Sequence, residues 1–144
     1  MVNSPLITQY IVGAYATSPN LQSWDENLES IYFSELKKLD SIRGLELPFW
    51  GKSLHPFDDE WLLQNLDSKW QNVITCVPGT MESLQKDSHF GLASKNDDSR
   101  KKAILFYKKA FNCINKLKNH FGNKSVIGIY ITSSPQSNHE KNYS

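Results

Sequence analysis

The chain has 144 residues, with 16 lysines and arginines against 15 aspartates and glutamates. This near balance, without a sustained basic run, gives no electrostatic basis for nucleic-acid binding. No signal-like segment opens the chain, and no run approaches the roughly 18 apolar residues that a membrane span needs. We therefore expect a cytoplasmic protein that binds neither nucleic acid nor membrane. Cys76 and Cys113 lie outside any CxxC motif, which predicts reduced core residues and no metal cluster.

Apolar runs and amphipathic segments alternate along the chain in the order β-α-β-α-β-α-β. Strands are predicted at 9–15, 42–49, 72–79 and 125–132, and helices at 23–40, 56–66 and 99–121. The stretch 80–98 has no clear period. We predict an irregular loop there, longer than ordinary connections and therefore either functional or disordered.

The first and third helices carry apolar stripes. In the first, Ser23 and Glu26 have capping-box spacing, and the predicted buried stripe is Leu28, Ile31, Tyr32, Leu36 and Leu39. In the third, the predicted stripe is Ala103, Tyr107, Ala110, Phe111, Ile114, Leu117 and Phe121. Gly122 is placed to end that helix.

This alternation predicts an α/β fold with a parallel sheet and right-handed crossovers. A small doubly wound sheet and a partial β/α barrel both fit, but the chain lacks GxGxxG and GxxxxGK[ST] phosphate loops. A flavodoxin-like domain needs a fifth strand, which we do not find. The long loops follow strands 2 and 3, at the carboxyl ends of the strands, where β/α barrels have their active sites. We therefore predict half of a TIM-type (β/α) barrel over 1–132 and a polar, disordered tail over 133–144.

The strongest catalytic candidates are Glu46 and His55, at and just after the end of the second strand. A carboxylate inside a barrel is costly unless it has a partner or ligand, which suggests a general base or a ligand for a metal or a hydroxyl group. The alternative is a structural acid paired with a basic side chain. His55 could bind hydroxyls or a metal; otherwise it is a loop histidine bonded to backbone.

Four further residues are predicted to bind substrate. Trp50 and Trp61 have flat faces suited to the C–H surface of a sugar ring, although core packing is the alternative. Thr80 lies just past the third strand, and His89 lies in the long loop. Asp58 and Asp59 are better explained as helix caps, and Cys76 lacks a neighbouring base that would make it a nucleophile.

Several strings carry a family resemblance over residues 1–135, namely "YIVGAYATSP", "SIRGLELPFWG", "LHPFDDEW", "TCVPGTM" and "HFGLAS". Together they resemble a family of bacterial proteins of unassigned function that is similar to xylose-isomerase-like β/α barrels. The resemblance implies a sugar or sugar-phosphate ligand, isomerase or epimerase chemistry, and a divalent metal in the full-length barrel. It also implies that the chain departs from its relatives after Thr132, lacks the later strands that supply most metal ligands, and is inactive alone.

A second interpretation is a complete small α/β binding or assembly module. Strands 1 and 4 would both be sheet edges, and an exposed apolar edge favours pairing with another chain. The expected partner is then a second copy in a homodimer, or otherwise the missing C-terminal half.

Overall fold

The structure is a computed structural model that describes residues 8–20 and 23–135. Within these residues it contains four parallel strands and four α-helices. They are β1 (Tyr10–Val12), α1 (Glu26–Lys37), β2 (Ile42–Pro48), α2 (Asp59–Asn65), β3 (Asn72–Thr75), α3 (Val77–Lys86), α4 (Asp97–Phe121) and β4 (Val126–Tyr130). None of the described helices combines the length and apolarity required to cross a membrane.

The described strands form one open sheet in the order β1-β2-β3-β4, and every neighbouring pair is parallel. Spatial order follows chain order, and each connection carries helix, as in successive units of a β/α barrel. The predicted α/β class and parallel sheet are confirmed. β1 and β4 are the edges of the sheet.

The two faces of the sheet differ. Leu45, Leu47 and Ile74 are buried in the core. The register pairs Glu46 with Val73 and Val73 with Gly128. Since side chains alternate along a strand, these residues lie on the other face, which we call the open face. We define it as Ile11, Gly44, Glu46, Pro48, Val73, Thr75, Gly128 and Tyr130. Gly44, Pro48 and Thr75 of this face are buried, and Tyr130 is exposed.

Asn72 joins β2 to the segment that enters β4. Its Oδ1 accepts the backbone N–H of Leu45 at 2.9 Å, and its Nδ2 donates to the carbonyl of Ser125 at 3.1 Å. Asn72 is buried, so these bonds also satisfy its own polar atoms. Asn72 therefore fixes how the two segments sit beside β3.

The predicted stripe of α1 is wrong in register. Glu29, Phe33 and Leu36 are the buried residues of this helix, and the predicted Leu28, Ile31 and Leu39 are exposed. The helix has two apolar stripes, and the buried one contains an acid whose hydrogen bonds allow its burial. The N-cap is Asp25, which accepts from the backbone of Asn27 and Leu28, and not Ser23.

The stretch predicted as an irregular loop begins with a helix. We expected Pro78 and Gly79 to end the third strand, but both lie in the first turn of α3, where proline is tolerated because that N–H has no helical partner. Gly79 is required because an added Cβ would lie 2.5 Å from the carbonyl oxygen of Phe49. The described part of the chain therefore has four α-helices where we predicted three.

The stripe of α4 is largely confirmed. Ala103, Tyr107, Ala110, Ile114 and Leu117 are buried. Phe111 is 48% exposed, and Phe106, which was not predicted, takes its place in the core. Gly122 ends the helix with φ of 93°, as predicted.

Both cysteines are free, as predicted. Cys76 is buried in the core, and burial raises the pKa of its thiol to about 12. Of the predicted tail, Ser134 is buried and its carbonyl accepts the N–H of Ala93 at 3.1 Å. The rest of that tail, 136–144, lies outside the described residues.

Candidate functional site

A cavity of about 170 Å³ opens at the carboxyl end of β2. It is smaller than the roughly 300–1,000 Å³ of sites for drug-sized ligands, so it suits a small molecule. Its polar lining is Tyr15, Ser18, Asn20, Glu29, Glu46 and His55, and its apolar lining is Ala14, Phe33, Leu45, Leu47, Pro48, Trp50, Leu54, Pro56, Phe57 and Leu62. These residues come from the turn after β1, the loop that leads to α1, α1 itself, β2, and the segment from β2 into α2.

Glu46 reaches this cavity from the open face of β2 and is half-buried. Its carboxylate forms no hydrogen bond or ion pair with any residue that the structure describes. A Cβ added to Gly13 would lie 3.4 Å from its Oε2, so the preceding loop passes close to the carboxylate. Burial and then the charge of Glu46 raise the pKa of Tyr15, which keeps this phenol protonated. Glu46 is therefore an acceptor open to a ligand, beside a neutral donor.

His55 is 7% exposed and held in one orientation. Its Nδ1 accepts the backbone N–H of Asp58 at 2.8 Å and that of Phe57 at 3.3 Å. Since Nδ1 is the acceptor, the proton of the neutral ring is on Nε2. Burial lowers the pKa of His55, although Glu29, Asp59 and Asp58 oppose this shift. His55 is thus a neutral hydrogen-bond donor through Nε2.

This assignment predicts a pH dependence. Because the pKa of His55 is lowered from 6.5 in the folded chain, the unfolded chain binds more protons once the pH falls through about 6.5. We expect His55 to make its full contribution to the free energy of unfolding above that pH. Below it the free energy of unfolding should decrease with falling pH, until the pH is low enough to protonate His55 in the folded chain. Urea titrations across this range should show the decrease, and His55→Gln should reduce it. An unchanged pH dependence in that variant would contradict the assignment.

Glu29 is a site residue that we did not predict. It is 4% exposed, lies on α1, and lines the cavity. Its Oε2 accepts from Ser18 Oγ at 2.8 Å and from Asn20 Nδ2 at 2.9 Å. The available signal was its spacing: Glu29 precedes Phe33 by four residues and Leu36 by seven, which places the acid on the buried stripe.

The other predicted site residues divide between the cavity and the core. Trp50 lines the cavity. Trp61 is buried behind His55, with ring centroids 5.3 Å apart, and does not line it. Thr80 is buried beside Tyr107, the two hydroxyl oxygens lying 3.2 Å apart, and His89 is exposed in the turn after α3. The structure therefore brings Glu46, His55 and Trp50 together, and leaves Trp61, Thr80 and His89 outside the cavity lining.

Asp58 is the helix cap that we expected, whereas Asp59 is not a cap and binds the loop before the helix. Asp58 caps α2, accepting from the backbone of Glu60 and Trp61 at 3.0 and 3.1 Å. Asp59 accepts from the backbone N–H groups of Leu54 and His55. Together they fix the loop that holds the His55 ring.

The metal that the resemblance implies does not fit the part of the chain that the structure describes. Residues 8–20 and 23–135 contain no group of three or more histidines, cysteines or acids arranged to hold an ion. His55 is also unsuited to be a ligand in this geometry, because its Nδ1 accepts backbone N–H groups and its Nε2 carries the proton.

A family model described as "Domain of unknown function (DUF4862)" matches residues 11–143. The chain belongs to the DUF4862 family. This confirms the prediction of an uncharacterised bacterial family. The DUF4862 chain is also 35% identical over 128 residues to "Uncharacterized protein STM3670" of Salmonella typhimurium. The match covers 89% of this chain and 41% of that relative, so the chain spans about two-fifths of the relative's length. No solved structure matches.

Proposed function

We propose that this DUF4862 chain is the first half of a β/α barrel of the sugar isomerase and epimerase type, and that Glu46 is its general base. One observation carries this proposal: the Glu46 carboxylate lines a small cavity at the carboxyl end of β2 and has no partner among the described residues. A partly buried carboxylate without a partner costs free energy, and polar groups that converge on a small apolar cavity are candidates for binding a ligand.

The reaction that fits is proton transfer next to a sugar carbonyl. The Glu46 carboxylate takes the proton from the carbon that carries a hydroxyl group beside the carbonyl. The C–H electron pair becomes the C=C bond of an enediolate, while the carbonyl π pair moves onto the carbonyl oxygen, which takes the negative charge that leaves Glu46. The protonated Glu46 then gives its proton to the former carbonyl carbon, and the hydroxyl proton passes to the former carbonyl oxygen, so that carbonyl and hydroxyl have exchanged places. The neutral phenol of Tyr15 and the Nε2–H of His55 are donors for the oxygens of the sugar.

The half-barrel part of the proposal rests on surfaces that the described chain leaves uncovered. Tyr130, on the open face, is 57% exposed, and Ile127 on the edge strand β4 is 47% exposed. Uncovered apolar edges favour pairing with another segment. The Salmonella relative is longer than this chain by an amount that would supply the remaining strands. Turnover therefore requires the other half.

The test is exchange of a sugar carbon-bound proton in heavy water. This chain would be co-expressed with the part of the Salmonella relative that lies outside the matched segment, and a panel of ketoses, aldoses and their phosphates would be followed by proton NMR. We expect loss of the signal of the proton on the carbon beside the carbonyl. In Glu46→Gln the rate of this exchange should be lower by about 100-fold or more, since this is the usual contribution of a general base.

The matched control is Glu82→Gln, which changes an exposed glutamate on α3 and should leave the exchange rate unchanged. Exchange that persists at the wild-type rate in Glu46→Gln would show that Glu46 is not the base.

The second candidate is an assembly module, favoured by the same exposed strand edges. Two copies would pair through β1 and β4 and enclose both open faces. This arrangement brings two Glu46 carboxylates to one interior, which is costly unless each finds a partner. For that reason we place the half-barrel first.

A further inference from the structure

The cavity contains a second carboxylate, Glu29, that proton transfer by Glu46 does not use. The two hydrogen bonds that the Glu29 carboxylate accepts are both made to Oε2, from Ser18 and Asn20. Its Oε1 has no hydrogen-bond partner among the described residues, although the residue is 4% exposed and lines the cavity. One oxygen is therefore held in place by the protein, and the other is left for a ligand.

His55 supplies the complementary group. Its Nδ1 is occupied by two backbone N–H groups, and its Nε2–H has no partner among the described residues. Glu29 and His55 line the same small cavity, so it presents a carboxylate acceptor and a neutral donor to one ligand. A hydroxyl group can donate to the first and accept from the second.

The charges of the lining restrict the ligand further. Among the described residues that line the cavity, two are glutamates and none is lysine or arginine. A phosphate group is normally held by arginine, lysine or several backbone N–H groups, and here it would meet two carboxylates. Like charges brought together in a partly buried site reduce affinity.

We propose that Glu29 Oε1 and His55 Nε2–H form a subsite for the hydroxyl groups of an uncharged polyhydroxylated ligand, a free sugar and not a sugar phosphate. This inference rests on the proposed function only in placing the ligand in the same cavity. Ser18 and Asn20 are positioning residues, because they act on the ligand only through the Glu29 carboxylate.

The test is a titration of the full chain with two sugars, in which binding is detected from changes in the backbone-amide and tryptophan-indole chemical shifts of nitrogen-15 NMR spectra. D-fructose and D-fructose 6-phosphate are the probes, since they differ by the phosphate group. We expect shifts at cavity residues, including the indole of Trp50, and a dissociation constant at least about 10-fold lower for fructose. Glu29→Gln replaces the free acceptor by an amide and should weaken fructose binding about 10-fold, as expected for loss of a hydrogen bond to a charged group.

The matched control is Glu26→Gln, the same change at an exposed position of the same helix, which should bind fructose like the wild type. If fructose 6-phosphate bound as tightly as fructose or more tightly, the inference that the ligand is an uncharged sugar would be wrong. Wild-type affinity in Glu29→Gln would overturn the subsite. If that variant does not fold, the comparison of the two probes on the wild-type chain still decides the ligand class.

The two proposals fail in different ways. Fructose that binds through Glu29 without proton exchange in the assembled barrel would leave the subsite standing and overturn the isomerase proposal. Exchange with the phosphate ester and not with fructose would overturn the subsite and leave Glu46 as the base. If neither probe shifts any cavity residue, the subsite is overturned, and the exchange assay on the assembled barrel still decides the isomerase proposal.

Discussion

Gly44→Ala is expected to remove a large part of the stability of the chain. A Cβ at this position would lie 2.0 Å from the backbone carbonyl oxygen of Gln71, far inside van der Waals contact. Relief requires β2 to move away from the segment before β3, where Gln71 N donates to the carbonyl of Arg43 at 3.0 Å. Overpacking costs roughly 1–3 kcal/mol where side chains can yield. Here the backbone itself must move, so we expect the free energy of unfolding to fall by about 3 kcal/mol or more.

The measurement is urea denaturation followed by tryptophan fluorescence, with Gly128→Ala as the matched control. Gly128 also lies in a strand, but its added Cβ would meet Val73 Cγ2 at 3.7 Å, an ordinary contact. We expect a change of less than about 1 kcal/mol for this control. Equal stability of the two variants would contradict the close approach of β2 to Gln71.

Phe49→Ala is the second large effect that we expect. The side chain of Phe49 is 0% exposed, and its ring lies 4.9 Å from that of Phe106 in an edge-to-face arrangement. Its removal leaves a cavity between β2 and α4, and such truncations cost about 3–5 kcal/mol. Against the roughly 5–15 kcal/mol by which domains are stable, this is a large fraction of the total. The same urea titration measures the loss.

The control for this variant is Phe111→Ala on α4. Phe111 is 48% exposed, so its truncation should cost less than about 1 kcal/mol. A larger cost at position 111 than at position 49 would mean that α4 packs on the sheet with the stripe predicted from the sequence, and not with the one observed.

The sequence predicted the strands better than the helices. Each strand lies in a short segment rich in apolar residues, and that signal does not depend on which face is covered. The helical stripes do depend on it. In α1 two apolar stripes compete, and the buried one contains Glu29. In α3 the pair Pro78–Gly79 has the composition of a turn, and its helical conformation depends on the contact with Phe49, which a local pattern cannot reveal.

The candidate site was also predicted only in part. Its residues on and just after a strand were predicted, and its residue on a helix was missed. Glu46 and His55 lie at a strand end and in the loop after it, where a parallel sheet places its functional groups. Their presence in one cavity follows from that topology, and their chemical roles stay predictions. Glu29 was missed because its burial depends on Ser18 and Asn20, which lie in a separate loop. Trp61 was placed in the site because composition alone does not distinguish the cavity wall from the layer behind it.

If this chain needs a second half to cover its open face, the two halves should assemble, and the molar mass of the assembly shows whether they do. The chain would be co-expressed with the part of the Salmonella relative outside the matched segment, purified through a tag on one partner, and measured by light scattering during size-exclusion chromatography. The half-barrel predicts a one-to-one complex. A chain that forms its own stable dimer, or stays a stable monomer, and leaves that partner unbound would contradict it.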